Sequence, residues 1–80
     1  MLFTLNIVTP TSTRMAIVSF IELQTDYGLL VIQKGHRPTI VTLKQPGEIK
    51  FQTEAGIQEI IGVSGGIVEV TRSSVMIVVG

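Results

Sequence analysis

The residues that could carry chemistry in this chain are few and lie far apart. It contains one histidine, His36, and no cysteine, so a nucleophile would have to come from one of five scattered serines, Ser12, Ser19, Ser64, Ser73 and Ser74. A single histidine without cysteine is too little for a zinc site, and the six carboxylates occur singly along the chain. We therefore expect no catalytic residue, no metal site and no cofactor.

A glycine pair, Gly65-Gly66, is the remaining motif with a chemical interpretation. It lacks the Gly-Lys-Ser/Thr continuation of a phosphate loop, and it leads into a β-type segment instead of a helix. We expect a turn or bulge between strands at a point where no Cβ can be accommodated.

Composition limits the classes of protein further. The 80 residues carry no formal net charge, which disfavours binding of nucleic acid through phosphate neutralisation. The absence of cysteine excludes a disulfide scaffold. No apolar run approaches the roughly 20 residues of a membrane-spanning helix, so we expect no direct membrane insertion.

The pattern of residues predicts strands. Val, Ile and Thr occupy 30 of the 80 positions, and short apolar or alternating runs end at Gly, Pro, Asn, Asp or Ser. We expect an all-β fold, a small antiparallel β-sandwich of about nine to ten short strands that forms a single domain over residues 1–80. The predicted strands are Phe3–Thr9, Arg14–Ser19, Phe20–Thr25, Leu29–Gln33, Thr39–Leu43, Gly47–Thr53, Ile57–Val63, Ile67–Thr71 and Ser74–Val79. Between two of them, Pro46-Gly47 fits positions i+1 and i+2 of a type II turn.

Alternation predicts which side chains face the core. Ile49 and Phe51 alternate with polar residues and are expected to point inward. Other segments, 29–32, 57–61 and 75–79, are apolar at both parities. Either strand twist and chain ends bury this second set of apolar residues, or it forms an exposed docking face.

Several motifs in fixed order resemble one family along most of the chain. They are Leu5-Asn6-Ile7-Val8-Thr9-Pro10, Gly28 followed by Ile32, Gly35-His36-x-Pro38, Pro46-Gly47-Glu48-Ile49 and Ser64-Gly65-Gly66-Ile67-Val68-Glu69-Val70. Together they resemble the amino-terminal β-sandwich of the epsilon subunit of F-type ATP synthases, which is called delta in mitochondria.

The resemblance implies a non-catalytic subunit of the central stalk that couples rotation to ATP synthesis. Its partners would be the gamma subunit and the c ring, and it would lie peripherally at the cytoplasmic face of the cell membrane. Carried over by position, the side toward gamma includes His36, Val41 and Thr9. The side toward the c ring corresponds to the stretch Gly28, Leu29, Leu30, Val31 and Ile32. Gly35, Pro38, Pro46, Gly47, Gly65 and Gly66 would form structural turns.

Some residues depart from the family pattern, mainly near the proposed contact loop. Leu29 replaces a common acidic residue, Val31 a usual Gly, Lys34 a usual Pro and Arg37 a usual small residue, while Gln45 resembles an insertion. The family also commonly continues into a helical hairpin, which is not found before Gly80. We therefore expect neither inhibition by such a hairpin nor its nucleotide site.

Two alternatives belong to other classes. A lipoyl- or biotinyl-type carrier domain would display Lys34 on a turn, although Gln33 and Gly35 do not match the motif of either carrier. A small ligand-binding β-barrel would contain a central cavity with an apolar lining.

Overall fold

The computed structural model describes all 80 residues and contains eight strands and no helix. No segment is therefore a helix that could span a membrane. The strands are β1 (Phe3–Val8), β2 (Thr13–Thr25), β3 (Gly28–Ile32), β4 (Thr39–Leu43), β5 (Gly47–Thr53), β6 (Gln58–Val63), β7 (Gly66–Val70) and β8 (Ser74–Val78).

The strands form one hydrogen-bonded path that folds into two layers. The order is β1-β8-β7-β4-β2-β5-β6, β3 pairs with β2, and β1 pairs with β2 as well. We call the group of β3, residues 20–25 of β2, β5 and β6 layer I. Layer II comprises residues 13–18 of β2, β1, β8, β7 and β4. Most pairs are antiparallel, but β1 and β8 are parallel, a pairing that the predicted antiparallel sandwich did not include.

Strand β2 belongs to both layers, and here the predicted strand count is wrong. Residues 14–19 and 20–25 were expected to be separate strands, but they form one strand of 13 residues with a register shift between Val18 and Phe20. Val18 faces the core, and so do Ile21 and Leu23, so the inward parity changes at the shift. A bulge lets one strand turn from one layer into the other without a loop.

One core lies between the layers. Fourteen apolar side chains from seven strands, each at most 6% exposed, make up this core: Phe3, Leu5, Ile7, Val18, Ile21, Leu23, Ile32, Leu43, Ile49, Phe51, Val68, Val70, Val75 and Ile77. The inward orientation predicted for Ile49 and Phe51 is confirmed. Burial of one side chain of this size contributes about 1.5–3 kcal/mol. The alternation along the strands puts these side chains on the inner faces of the two layers, and their burial therefore stabilises the sandwich.

An ion pair joins the layers at the margin of this core. Arg14, on β2 in layer II, places Nη2 2.6 Å from Oε2 of Glu59 on β6 in layer I. The Arg14 guanidinium also lies 5.3 Å from the centroid of the Phe51 ring. Both charged side chains remain partly exposed, so the pair covers the core margin without being buried.

Two turns with the pattern Thr-x-x-Ser hold opposite ends of layer II. At Thr9–Ser12 the Thr9 amide donates to the Ser12 carbonyl (2.8 Å), and the Ser12 amide donates to Thr9 Oγ1 (3.0 Å). Thr71–Ser74 has the same two bonds, at 2.9 and 3.1 Å. The hydroxyl of the first residue thus closes each turn locally.

We expected Gly65-Gly66 to form a turn at a point where no Cβ can be accommodated, and this prediction is confirmed. The prediction of a type II turn at Pro46-Gly47 is wrong. Gly65 and Gly66 have φ of +85° and +151°, and a Cβ on Gly66 would lie 2.5 Å from the Val78 carbonyl oxygen. Gly47 lacks the positive φ that the second central residue of a type II turn needs; it begins β5, and the Gln45-Pro46 peptide is cis. A Cβ at Gly47 would lie 2.6 Å from the Lys44 carbonyl oxygen, so close backbone approach explains this glycine.

Candidate docking surfaces

The outer face of layer II is an apolar surface with a single charge. In one row across the strands, Ile40, Glu69, Met76, Asn6 and Met15 are neighbours. The next row consists of Thr42, Ile67, Val78, Val8 and Thr13. Ile40, Met15 and Ile67 are 72%, 65% and 56% exposed. We call these two rows the layer II face; exposed apolar side chains grouped on one face make it a candidate interaction surface.

The outer face of layer I combines apolar and charged side chains. Its central row is Val31, Glu22, Lys50 and Ile60, in which Glu22 and Lys50 are cross-strand neighbours. The adjoining row contains Leu29 beside Gln24, whose Oε1 accepts a hydrogen bond of 3.1 Å from the Glu48 amide. We call these residues the layer I face. Because it carries more charged side chains, the layer I face is better suited to contact with water than the layer II face.

The three residues predicted to face gamma do not form one patch. Thr9 follows β1 at the end of layer II where Val8 and Val78 pair, whereas His36 precedes β4 at the opposite end. Val41 lies in β4 opposite the buried Val68 and packs against the core. Thr9 and His36 therefore flank the layer II face at its two ends, and Val41 supports that face from inside.

The segment predicted to face the c ring is strand β3 in full, and its side chains alternate between solvent and core. Leu29 and Val31 are exposed, but Leu30 packs against the core and Ile32 is 1% exposed. Because its side chain is buried, Ile32 is a core residue and not a contact residue. Gly28, with φ of +114°, begins β3 after the turn at Asp26 and Tyr27.

The tip of the β2–β3 hairpin carries an exposed aromatic residue that sequence reasoning missed. The side chain of Tyr27 is fully exposed. The buried Thr25 fixes the turn, because its hydroxyl donates to the Gly28 carbonyl (2.8 Å) and accepts from the Tyr27 amide (3.2 Å). An aromatic residue between Asp26 and Gly28, both typical of turns, was the available signal.

The layer II residues Met15, Ile40 and Ile67 were also missed as candidates for an exposed apolar face. Segment 75–79 was recognised as apolar at both parities, and its exposed Met76 and Val78 fit the expectation of a second apolar face. Met15, Ile40 and Ile67 come from three other strands. Only the cross-strand register places them on the same face as Met76, and register is not readable from isolated strands.

The clefts of the molecule are all open to solvent and small. The largest, of about 330 Å³, lies between β2 and the β5–β6 turn and is lined by Met15, Ala16, Ile17, Thr53, Glu54 and Ala55. With a single packed core, the molecule has no central cavity of the kind that a ligand-binding barrel requires. No group of three or more His, Cys, Asp or Glu side chains converges anywhere.

A family model matches almost the entire chain and decides its relationship. The model describes the β-sandwich domain of the ATP synthase delta/epsilon chain, and it matches residues 2–80. The chain belongs to this family. The delta/epsilon sandwich family is all-β, as the eight strands are, and the match gives no support to the carrier-domain alternative centred on Lys34.

Curated relatives agree with the family match over a shorter stretch. ATP synthase epsilon chains of Acinetobacter baylyi and Acinetobacter baumannii are 56% and 54% identical to this chain over 43 residues. The matched stretch covers 54% of this chain and 30% of each relative. The matched stretch thus spans less than a third of the length of each of these relatives.

Two solved structures have the same fold. A chain of the Euglena gracilis mitochondrial ATP synthase, in a structure of OSCP, F1 and c-ring, superimposes with a TM-score of 0.89 at 23% identity, over 98% of this chain and 50% of that one. A chain from the Tetrahymena thermophila mitochondrial ATP synthase central stalk and c-ring gives 0.80 at 23% identity, over 96% and 62%. At this identity the similarity shows that the delta/epsilon sandwich fold is shared.

Proposed function

We propose that this chain is a non-catalytic rotor subunit of the central stalk of an F-type ATP synthase, which transmits c-ring rotation by binding the gamma subunit and the c ring. The observation that carries the proposal is the layer II face, to which four of its five strands contribute exposed apolar side chains, in a member of the delta/epsilon sandwich family. A subunit that acts by docking needs such a face and needs no catalytic group.

The gamma subunit would bind the layer II face. The centre of a stable interface is depleted in charge and enriched in apolar side chains, Met among them. This face has Met15 and Met76 and one charge, Glu69. The predicted contact residues Thr9 and His36 would lie at the two ends of the gamma interface.

The c ring would contact the tip of the β2–β3 hairpin. Tyr27 and Leu29 project from this tip and from the start of β3, and the remainder of β3 is anchored through Ile32 in the core. A short hairpin held by the core can transmit force without bending, which suits a contact between rotating parts. The chain would therefore lie peripherally at the cytoplasmic face of the cell membrane.

Site-specific photocrosslinking in native membranes tests this arrangement. A photoreactive amino acid at Ile67 should crosslink to gamma, one at Tyr27 should crosslink to a c subunit, and one at Ile60 on the layer I face should give neither product. Recovery of the remaining synthase without any crosslink from Ile67 or Tyr27 would contradict the proposal.

A further inference from the structure

Three basic residues lie on two adjoining loops at one end of layer II. Lys34 and Arg37 belong to the loop between β3 and β4, and Arg72 belongs to the turn between β7 and β8. The two loops are joined by a hydrogen bond from the Gly35 amide to the Arg72 carbonyl oxygen, at 3.1 Å. We call these three residues the basic rim. It holds half of the six Lys and Arg residues of a chain with no net charge.

The basic rim has no acidic partner within the molecule. The only ion pair of the chain joins Arg14 to Glu59. Glu69, the acidic residue of the neighbouring layer II face, lies within 4 Å of no basic group. Lys34, Arg37 and Arg72 are all exposed, so the local excess of positive charge faces solvent.

The loop between β3 and β4 is held by hydrogen bonds to backbone carbonyl groups, and the basic side chains take no part in these bonds. The Arg37 carbonyl oxygen lies 2.8 Å from His36 Nδ1 and accepts a bond of 2.9 Å from the Thr39 hydroxyl. The His36 amide donates to the Gln33 carbonyl at 3.1 Å. Because these bonds use backbone carbonyl groups, replacement of the basic side chains leaves them intact.

The rim adjoins the layer II face. Arg37 lies three residues before the exposed Ile40, and Arg72 lies two residues after Val70, where β7 ends. Interfaces commonly have an apolar centre and a polar rim. Positive potential on one side of the interface is met by negative potential on the other.

We infer that the basic rim binds an acidic segment of the same protein partner that covers the layer II face, and that it fixes the partner's orientation and selects for it. The inference rests on the proposed function for the identity of that partner as gamma. Lys34 and Arg37 of the rim follow the carboxyl end of β3. The length of β3, about 14 Å, separates this end from the hairpin tip that is proposed to face the ring. This position favours a protein surface over anionic lipid.

The first test measures the affinity of the complete chain for its own gamma subunit as a function of salt. The double variant Arg37→Ala/Arg72→Ala is compared with Lys44→Ala/Lys50→Ala, which makes the same change in net charge away from the rim. At about 0.02 M salt the rim variant should bind about ten-fold more weakly, and at about 0.5 M salt the loss should fall below about two-fold. The control variant should stay within about two-fold of wild type at both salt concentrations.

A second test needs no gamma subunit, so it separates failure of this inference from failure of the proposed function. A decaglutamate peptide is titrated into the isotope-labelled chain while the amide NMR signals are recorded. Shifts should concentrate at residues 34–37 and 72, and they should disappear in the rim variant but persist in the control variant.

Several results would overturn the inference. Equal losses for the rim and control variants in the gamma assay would do so, as would peptide shifts spread evenly over Lys44 and Lys50. Rim-dependent binding to phosphatidylglycerol vesicles with no response to the peptide would replace the protein partner by lipid.

Localised peptide shifts without any binding to gamma would support the rim and contradict the proposed function.

Discussion

The central row of the layer I face has two opposite charges side by side, Glu22 and Lys50, with an apolar residue at each end. The corresponding row of the layer II face is mainly apolar and contains one charge, Glu69, and one polar residue, Asn6. In both layers, the alternate residues of the same strands point inward and fill one common core. The demands of folding therefore explain the inward residues of both layers. They do not explain why one outer face has alternating charges and the other has almost none.

The difference indicates that the two outer faces have different environments. A domain of about this size buries a comparatively small share of its surface, so an additional apolar face adds to the area exposed when it is isolated. Docking removes that area from water, at roughly 25 cal/mol per Å² before the costs of association. The layer II face fits a permanent contact, and the layer I face fits exposure to water.

The largest expected effect tests whether both faces cover one core. Phe51→Ala should lower the free energy of unfolding by about 3–5 kcal/mol, because its ring is completely buried between the layers. Phe20→Ala is the matched control on the outer parity of layer I, where the ring is only half-buried, and should cost much less. Chemical denaturation measures both, and a loss under about 1 kcal/mol for Phe51→Ala would show that the layers do not share a core.

A smaller effect is expected at a glycine that lets two strands of layer II approach closely. Gly66→Ala should destabilise the chain by about 1–3 kcal/mol, because the residue has positive φ and its Cβ would meet the Val78 carbonyl. Gly62→Ala in β6 of layer I is the control, since no atom lies within 4 Å of that Cβ.

Thermal unfolding compares the two glycine variants. Equal midpoints for Gly66→Ala and Gly62→Ala would contradict the close approach in layer II and would require another reason for the glycine pair.

The smallest effect concerns the ion pair that bridges the layers. A double-mutant cycle of Arg14→Met and Glu59→Gln should give a coupling free energy of about 0.5 kcal/mol, because both side chains are partly exposed and screened. The coupling should decline as salt is added. A coupling above about 2 kcal/mol would show that the pair is more buried than the structure places it.

The sequence predicted the inward faces better than the layers. Alternation identified Ile49 and Phe51 because a period of two is local and repeats along each strand. The same rule failed at β2, where a bulge between Val18 and Phe20 reverses the parity and joins two predicted strands into one. No turn residue is needed for a bulge, so composition carries no signal for it.

The candidate docking surfaces were only partly predictable for a related reason. Segment 75–79 was identified as apolar on both sides, which pointed to an outer face, but one cross-strand neighbour of Met76 is Asn6, on β1 near the other end of the chain. Ile32 was assigned to a contact from its position in the chain, although alternation with Val31 places its side chain in the core. Position in a motif identifies a segment, whereas the register decides which of its side chains are available.

The most direct test of the account is the affinity of two matched variants for the gamma subunit, measured by titration calorimetry. Ile67 on the layer II face and Ile60 on the layer I face are 56% and 61% exposed, so Ile67→Asp and Ile60→Asp introduce the same charge at similar exposure. Ile67→Asp should weaken binding by about 30-fold or more, as expected for a residue near the centre of an interface. Ile60→Asp should change it by less than about two-fold, as is usual for a residue outside the interface. Equal effects, or a larger loss for Ile60→Asp, would contradict the claim that the layer II face is the docking surface.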